Sequence, residues 1–387
     1  SYSMYDEATL KGDQNEVLSH GFSVLSLTIS AAKTILNTLN ENDNISIVTY
    51  SSKAVTLINN VSCSHENKVM IESELDSLKP ITNTNMWAGI IASLDILRTS
   101  SPPEKVKGIL LLTDGIPNVE PPRGHEYMLQ KYFKDHNFKC MISCYGFGYN
   151  LNSELLLNLS RISGGDGYSF IPDASILGNV FIHGISNLFT TAVYNPKLSI
   201  TLSKDIIFKD SNTEIQIELD SLKYGQDKNL VFELDTKSRR NSSDAQIYNH
   251  LNNFANIFLT FNGKMIKTNE NVKPTHNYYI EQKYRKEAID LINYCIQQKK
   301  YNDSSFKDTL ISFVRELESE SSNLYIQNLI YDFNGQVKEA LNMTTQGHRE
   351  DWFTKWGIHY LRSLQEAYQH EICNNFKDKA ISNFGGT

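Results

Sequence analysis

The chain has 387 residues, of which 40% are hydrophobic, and this length predicts two or three domains rather than one. Its 37 basic and 44 acidic residues give a net charge of −7 without a long basic run, which argues against a nucleic-acid partner. The sequence contains no run of about 18–20 consecutive apolar residues, so it predicts no membrane span.

The first half of the chain alternates between helical and strand-like segments. Apolar residues between Leu18 and Leu39 recur at helical spacing, and Ile45–Tyr50 then reads as a strand. An almost wholly apolar run at Val106–Leu112 predicts a strand that is buried on both faces of a parallel sheet. Such alternation is typical of a doubly wound, Rossmann-like α/β domain. Further predicted strands are 54–58, 139–146 and 167–171, and predicted helices are 68–78, 86–98, 127–136, 153–162 and 175–188.

The hydrophobic pattern changes after Pro196, where apolar residues recur every second position. Short alternating segments separated by polar turns predict an antiparallel β-sandwich, and a helical pattern returns from about Tyr279. We therefore predict an α/β domain at 1–195, a β-sandwich at 196–276 and a C-terminal α-helical region at 277–387. The predicted strands are 198–202, 213–219, 229–234 and 256–261, and the predicted helices are 285–298, 305–319, 323–341 and 360–373.

Four side chains with oxygen atoms stand at strand ends or in loops that face strand ends. Ser1 and Ser3 lie at the start of the chain, Thr84 lies in a predicted loop, and Asp114 follows the apolar run. In a doubly wound domain, ligands bind at the carboxyl edge of the sheet, where such positions meet. Hydroxyl and carboxylate oxygens suit a hard divalent cation such as Mg²⁺, with Ca²⁺ and Mn²⁺ as alternatives.

These residues resemble the metal-ion-dependent adhesion site of the von Willebrand A-type (vWA) family, which reads Asp-x-Ser-x-Ser, then a Thr, then a Thr-Asp-Gly turn. Ser1 and Ser3 match the two serines, Thr84 the threonine and Asp114 the aspartate, in the family's order. The resemblance implies that the bound ion leaves one position open for an acidic side chain of a protein partner, and that the protein is not an enzyme. The leading Asp is not in this sequence, and Tyr2 stands where a glycine is usual.

The missing start of the motif has a structural consequence. In this family the strand that ends in Asp-x-Ser lies in the centre of the sheet, with a neighbour on each side. Without it, two strand edges are left open inside the core. We therefore expect an upstream segment or a second chain to complete the sheet.

A second resemblance covers roughly residues 196–387. It is to the vWA/Hedgehog intervening (Vint) module, which is often joined to a Hint autoprocessing domain and sometimes to a U-box. Together the two resemblances predict an interaction module of a larger multidomain protein. The segments that carry the second resemblance are 222–226, 229–232, 355–364, 373–378 and 384–386.

Two other functions stay open. The chain is alternatively a structural scaffold or ubiquitin-pathway subunit with an inactive metal site. It is also consistent with a processed fragment of a Hint autoprocessing precursor. A flanking U-box or Hint domain in the complete reading frame, together with a metal titration, would separate these functions from metal-assisted binding.

Several other patterns are better explained by packing. The five cysteines are scattered without a Cys-x-x-Cys pair, which favours a reducing, intracellular and cytoplasmic setting. Cys140 and Cys144 lie about 13 Å apart along a predicted strand, too far to share one zinc ion. The aromatic residues Trp352, Trp356 and Tyr360 recur every four residues, and we predict that they pack the helical region onto the sandwich. His125-Glu126 is a weak candidate for the rim of the metal site.

Overall fold

The computed structural model divides the chain into two compact units. We call them the α/β unit, residues 1–189 and 287–387, and the β unit, residues 190–286. The α/β unit is therefore discontinuous in sequence. Within the described residues, no helix is long and apolar enough to span a bilayer. The residues that the structure describes are 4, 7–11, 17–81, 83–100, 106–172, 177–202, 206–209, 212–236, 255–268, 275–343, 352–375 and 377–384.

The α/β unit begins with a hairpin that the periodicity did not predict. Strands β1 (Glu7–Lys11) and β2 (Val17–Ser23) pair in antiparallel fashion, and helix α1 (Val24–Thr38) follows directly. The Ser23 hydroxyl accepts a hydrogen bond from the backbone N–H of Ser26 at 3.1 Å, which caps the helix. The predicted helical segment from Leu18 was therefore wrong up to Ser23, because this stretch pairs its backbone with β1.

The unit contains a parallel sheet and a separate antiparallel pair. Strands β5 (Gly108–Thr113), β6 (Met141–Phe147) and β7 (Tyr168–Ile171) are parallel and lie in this order. Strands β3 (Asn44–Tyr50) and β4 (Ala54–Ser62) pair only with each other among the described strands. The prediction of an α/β domain with a parallel sheet is thus confirmed. The helices between these strands are α2 (His65–Asp76), α3 (Met86–Thr99), α4 (His125–His136), α5 (Ser153–Ser163) and α6 (Leu177–Phe189).

Aromatic residues of β6 form the centre of one core cluster. Tyr145 and Phe147 pack against Phe181 of α6, with ring centroids 4.8 and 6.1 Å apart, and α1 completes the cluster. Helix α6 approaches the sheet closely because it has a glycine at the contact. A Cβ atom at Gly184 would lie 2.0 Å from the Tyr145 hydroxyl, so a larger residue does not fit there.

The β unit consists of antiparallel sheets, as the alternating pattern predicted. Its core contains Ile200 and Phe208, and Phe232 packs against the Phe208 ring at 5.7 Å. The predicted strand at 229–234 was largely wrong, because Asn229 uses its carbonyl to accept a hydrogen bond from the Arg285 guanidinium at 2.8 Å. The sheets have the orders β11-β9-β14-β15, β10-β13 and β12-β8. Their strands are β8 (Thr191–Tyr194), β9 (Lys197–Leu202), β10 (Ile206–Phe208), β11 (Glu214–Glu218), β12 (Ser221–Lys223), β13 (Leu234–Thr236), β14 (Ala255–Phe261) and β15 (Lys264–Thr268).

The C-terminal part is helical, as predicted, but two helices contain wider turns. The predicted helix at 323–341 contains a π-helical turn at Phe333–Val337, and a second π-helical turn at Phe353–Gly357 leads into the last long helix. The two turns lie near each other, since a Cβ atom at Gly357 would lie 2.1 Å from the Ala340 carbonyl oxygen. The long helices are α7 (His276–Lys300), α8 (Phe306–Ser319), α9 (Leu324–Asp332) and α10 (Ile358–His370).

Helix α10 covers the edge of the parallel sheet. The backbone N–H of Phe170, in the edge strand β7, donates a hydrogen bond to the Ser363 hydroxyl at 3.1 Å. A side chain of α10 thus satisfies a backbone group that an edge strand would otherwise expose. Trp352 also contacts Tyr149 of the α/β unit, with ring centroids 6.2 Å apart. The prediction that this aromatic stripe packs onto the sandwich was therefore wrong, because its partners lie in the α/β unit.

Candidate metal-binding site

The loop before α3 and the loop after β5 are clamped together at the carboxyl edge of the sheet. The side-chain oxygen of Asn118 accepts a hydrogen bond from the Thr84 N–H at 2.9 Å, and the Asn118 N–H donates to the Thr84 carbonyl at 3.2 Å. The Asn85 N–H donates to the carbonyl of Ser51, just after β3, at 2.7 Å. These bonds bring the end of β3, the Thr84 loop and the Asp114 loop together.

Thr84 and Asp114 are both buried at this edge, with 5% of each residue exposed. Tyr50 is the last residue of β3, and its hydroxyl donates a hydrogen bond to the carbonyl of Leu112 in β5 at 3.0 Å. Burial raises the pKa of Tyr50, and the nearby charge of Asp114 raises it further, while a hydrogen bond with Thr113 lowers it. Tyr50 therefore stays neutral and supports the edge without adding a charge.

Ser1 and Ser3, the other two predicted ligands, lie outside the described residues. Met4, which follows Ser3, packs against the core cluster formed by α1, β6 and α6. The Thr28 hydroxyl in α1 lies 4.0 Å from its sulfur atom. The structure thus brings Thr84 and Asp114 to the sheet edge that the sequence predicted.

The described residues at this edge offer oxygen donors of the kind that Mg²⁺ prefers, a hydroxyl and a carboxylate. The described part of the chain contains no group of three or more His, Cys, Asp or Glu residues arranged to hold a metal ion. Among the described residues, the donors at this edge are thus one carboxylate, of Asp114, and one hydroxyl, of Thr84.

Sequence reasoning missed Asn118 and Tyr50, which hold the loops in place. Asn118 lies four residues after Asp114 in the same loop, and this position was the only hint of its role. Because side-chain amides are common in loops, the position alone did not single it out. His125, a predicted rim residue, is buried at the start of α4, and burial lowers its pKa. Burial also raises the pKa of Cys140, to about 12, as expected for a structural thiol.

Comparison with known proteins agrees with this architecture. A family model described as von Willebrand factor type A domain matches residues 17–169, and one described as VWA / Hh protein intein-like matches residues 323–387. The uncharacterized protein YfbK of Escherichia coli strain K12 is 28% identical over 179 residues, which are 46% of this chain and 30% of that protein. The match therefore spans less than a third of that relative's length.

Two of the solved structures to which the chain is similar are vWA proteins. A von Willebrand factor type A protein from Catenulispora acidiphila has a TM-score of 0.52 at 14% identity, covering 79% of this chain and 78% of that chain. The ArnB paralog VWA2 from Sulfolobus acidocaldarius has a TM-score of 0.46 at 15% identity, covering 89% of this chain and 84% of that one. The chain contains a von Willebrand factor type A domain followed by a VWA/Hedgehog intein-like domain.

Proposed function

We propose that the α/β unit binds a protein partner at the edge formed by Thr84 and Asp114, with a divalent cation at the contact. vWA domains generally mediate protein–protein interaction rather than catalysis. The observation that supports the proposal is the Asn118 clamp, which holds together two loops that carry a buried hydroxyl and a buried carboxylate. Preorganised ligands favour binding because little conformational freedom is lost when the ligand arrives.

Exposed apolar side chains surround this edge. Ile116 lies two residues after Asp114 and is 49% exposed, and Val119 follows the clamping Asn118. Ile81, three residues before Thr84, is 59% exposed. Apolar side chains next to a polar centre are typical of protein interaction surfaces. This supports a protein partner rather than a small polar ligand.

Thr84 and Asp114 would hold the cation, together with Ser1 and Ser3. Mg²⁺ suits this donor set, with Ca²⁺ and Mn²⁺ as alternatives. When bound, the cation supplies a positive charge and an open position for an acidic side chain of the partner. The chain's own residues bind the ion, hold the loops and exclude bulk water from the ligand oxygens.

The metal is tested with Asp114→Asn. We expect MgCl₂ to raise the thermal unfolding temperature of the wild-type chain, because a ligand at 100 times its Kd stabilises the folded state by about 2.7 kcal/mol. The variant should lose this response, since its amide carries no charge. Asp135→Asn is the matched control, because Asp135 is an exposed residue that pairs with Lys131 on α4. An unchanged Mg²⁺ response in Asp114→Asn would contradict the proposed ligand.

Partner binding is tested with the same pair of variants. Proteins captured by the wild-type chain in Mg²⁺ should be released by a chelator and should not bind to Asp114→Asn. They should bind equally well to Asp135→Asn. Capture that persists in Asp114→Asn and in chelator would instead favour the scaffold function.

We further propose that an additional extended strand lies between β3 and β5 in the complete assembly. The two strands belong to separate sheets among the described strands, yet the Tyr50 hydroxyl reaches across to β5. The apolar residues Leu110 and Leu112 of β5 are only partly buried, although their sequence is typical of a central strand. A strand paired with both edges would bury them.

Hydrogen exchange tests this added strand. Amides of β3 and β5 should exchange faster in this chain alone than in a longer chain or complex that supplies the proposed strand. Amides of β6 serve as the control, because β6 is buried and pairs with a strand on each side. Equal protection of β5 in both preparations would exclude the added strand.

A further inference from the structure

A second concave site lies between the end of β7 and the chain that follows α10. It is a cavity of about 50 Å³, which has room for a few water molecules or the head of a small ligand. Its lining shares no residue with the Thr84–Asp114 edge. Its lining includes Gln336, Trp356, Tyr360, Asn374, Asn375 and Asp378.

Both π-helical turns contribute to the wall of this cavity. Gln336 lies in the turn at Phe333–Val337, and Trp356 lies in the turn at Phe353–Gly357. Single π-helical turns inside helices occur frequently at functional sites, because they redirect side chains at the expense of regular backbone hydrogen bonds. Two such turns that line one cavity indicate a binding site rather than a packing defect.

The wall combines stacked aromatic rings with a buried carboxylate. The rings of Trp356 and Tyr360 are 4.9 Å apart at an angle of 10°. Asp378, which is 1% exposed, accepts hydrogen bonds from the Tyr360 hydroxyl at 2.7 Å and from the Asn375 amide at 2.9 Å. A carboxylate can accept further bonds from a ligand. The Asn374 amide group donates to Ser363, which leaves its oxygen as another acceptor.

The charges around Asp378 favour a cationic ligand. Asp332, a second buried carboxylate, accepts hydrogen bonds from the backbone N–H groups of Lys379 and Ala380. Burial and, to a smaller extent, the charge of Asp332 raise the pKa of Asp378 to about 7. Burial also raises the pKa of Asp332, to about 6. The cations whose charge reaches these carboxyl groups, Lys377 and Lys379, are both exposed, so water screens them.

We propose that this cavity binds a primary alkylammonium ion. Asp378 receives the ammonium group, the amide oxygen of Asn374 accepts a further N–H, and the Trp356–Tyr360 pair forms the apolar wall along the first carbons of the ligand. An ammonium group has only donors, which matches a site rich in acceptors. An anion would be repelled by the Asp378 carboxylate, and a neutral ligand would leave that carboxylate, when ionised, without a compensating charge. The site needs neither the metal nor the partner proposed above.

Titration of the full chain with n-propylammonium chloride tests this proposal, with tryptophan fluorescence and calorimetry as readouts. We expect saturable binding that tightens between pH 6 and pH 8, because Asp378 ionises in that interval. In Asp378→Asn the affinity should fall roughly tenfold or more, as expected for the loss of a hydrogen bond to a charged group. Binding of 1-propanol and of acetate should be weaker than that of propylammonium in the wild-type chain.

A surface variant keeps the test decisive if Asp378→Asn fails to fold. Lys377 is exposed at the mouth of the cavity, so Lys377→Ala should strengthen propylammonium binding by about twofold.

A pentapeptide with a central lysine separates the two sources of an alkylammonium group. Tighter binding of the peptide indicates a lysine side chain, and tighter binding of the free amine indicates a small molecule. The proposal is overturned if propylammonium does not saturate, if 1-propanol binds equally well, or if affinity ignores both pH and Lys377→Ala.

Discussion

Replacement of Trp356 by alanine should destabilise the α/β unit by about 3–5 kcal/mol, the range for removing a large aromatic side chain from a core. Trp356 is 3% exposed and is stacked between Trp352 at 5.7 Å and Tyr360 at 4.9 Å. Its removal leaves a cavity next to the π-helical turns, where the close contact between Gly357 and Ala340 limits collapse. Urea unfolding, followed by tryptophan fluorescence and circular dichroism, measures the loss.

A neighbour on the same π-helical turn provides the control. Lys355 is exposed, so Lys355→Ala should change the free energy of unfolding by less than about 0.5 kcal/mol. Trp356→Phe should lie between the two, because it keeps a ring in the stack. A Trp356→Ala chain as stable as Lys355→Ala would show that the stack contributes little to the fold.

Replacement of Glu366 by alanine should cost about 3 kcal/mol, near the lower end of the range for breaking a buried ion pair. Glu366 of α10 is fully buried, and its carboxylate accepts a hydrogen bond from Arg161 of α5 at 2.6 Å. His370, one turn along α10, lies 3.3 Å from the other carboxylate oxygen. The Arg161 side chain is 45% exposed, so water can solvate its guanidinium group when Glu366 is removed. This limits the loss of stability to the lower end of the range.

The same carboxylate gives a test by pH. Burial raises the pKa of Glu366, but hydrogen bonds and charge from His370 and Arg161 lower it more, so that the net pKa lies below 4.5. A lowered pKa contributes stability above 4.5, and this stability is lost as the pH falls through the folded-state pKa. Glu366→Gln should therefore be less sensitive to pH below 4.5 than the wild-type chain. Parallel unfolding curves at pH 3, 4, 5 and 7 measure this, and identical pH profiles would contradict it.

Hydrophobic periodicity predicted most of the fold because the helices of the α/β unit have one apolar face and its central strands are apolar along most of their length. The predicted strand at Val106–Leu112 corresponds to β5, and the predicted helix at 86–98 corresponds to α3. Periodicity failed where other partners satisfied the backbone. The start of the predicted helical segment, from Leu18 to Ser23, pairs as part of β2, and Asn229 bonds to a guanidinium rather than to a neighbouring strand.

The sequence indicated the motif residues of the candidate metal site but not the residues that support them. A motif identifies side chains of a suitable chemistry and says nothing about the contacts that position them. Thr84 and Asp114 lie at the predicted edge, whereas their clamp by Asn118 depends on two loops that are distant in sequence. The aromatic stripe was also predicted to be core, but its partner was wrong. Periodicity identifies a buried face without saying which surface covers it.

The bond between Phe170 and Ser363 joins residues that are 193 positions apart. During synthesis, the edge of β7 therefore emerges long before the helix that covers it, and the residues of the β unit are made in between. The chain between Phe170 and Ser363 must close into a long loop before their contact forms, and this costs entropy. The docking of α10 onto β7 is therefore slow. Until α10 leaves the ribosome, an uncovered strand edge is available for wrong pairing with other chains. The nascent protein should therefore depend on chaperones mainly between the emergence of β7 and that of α10.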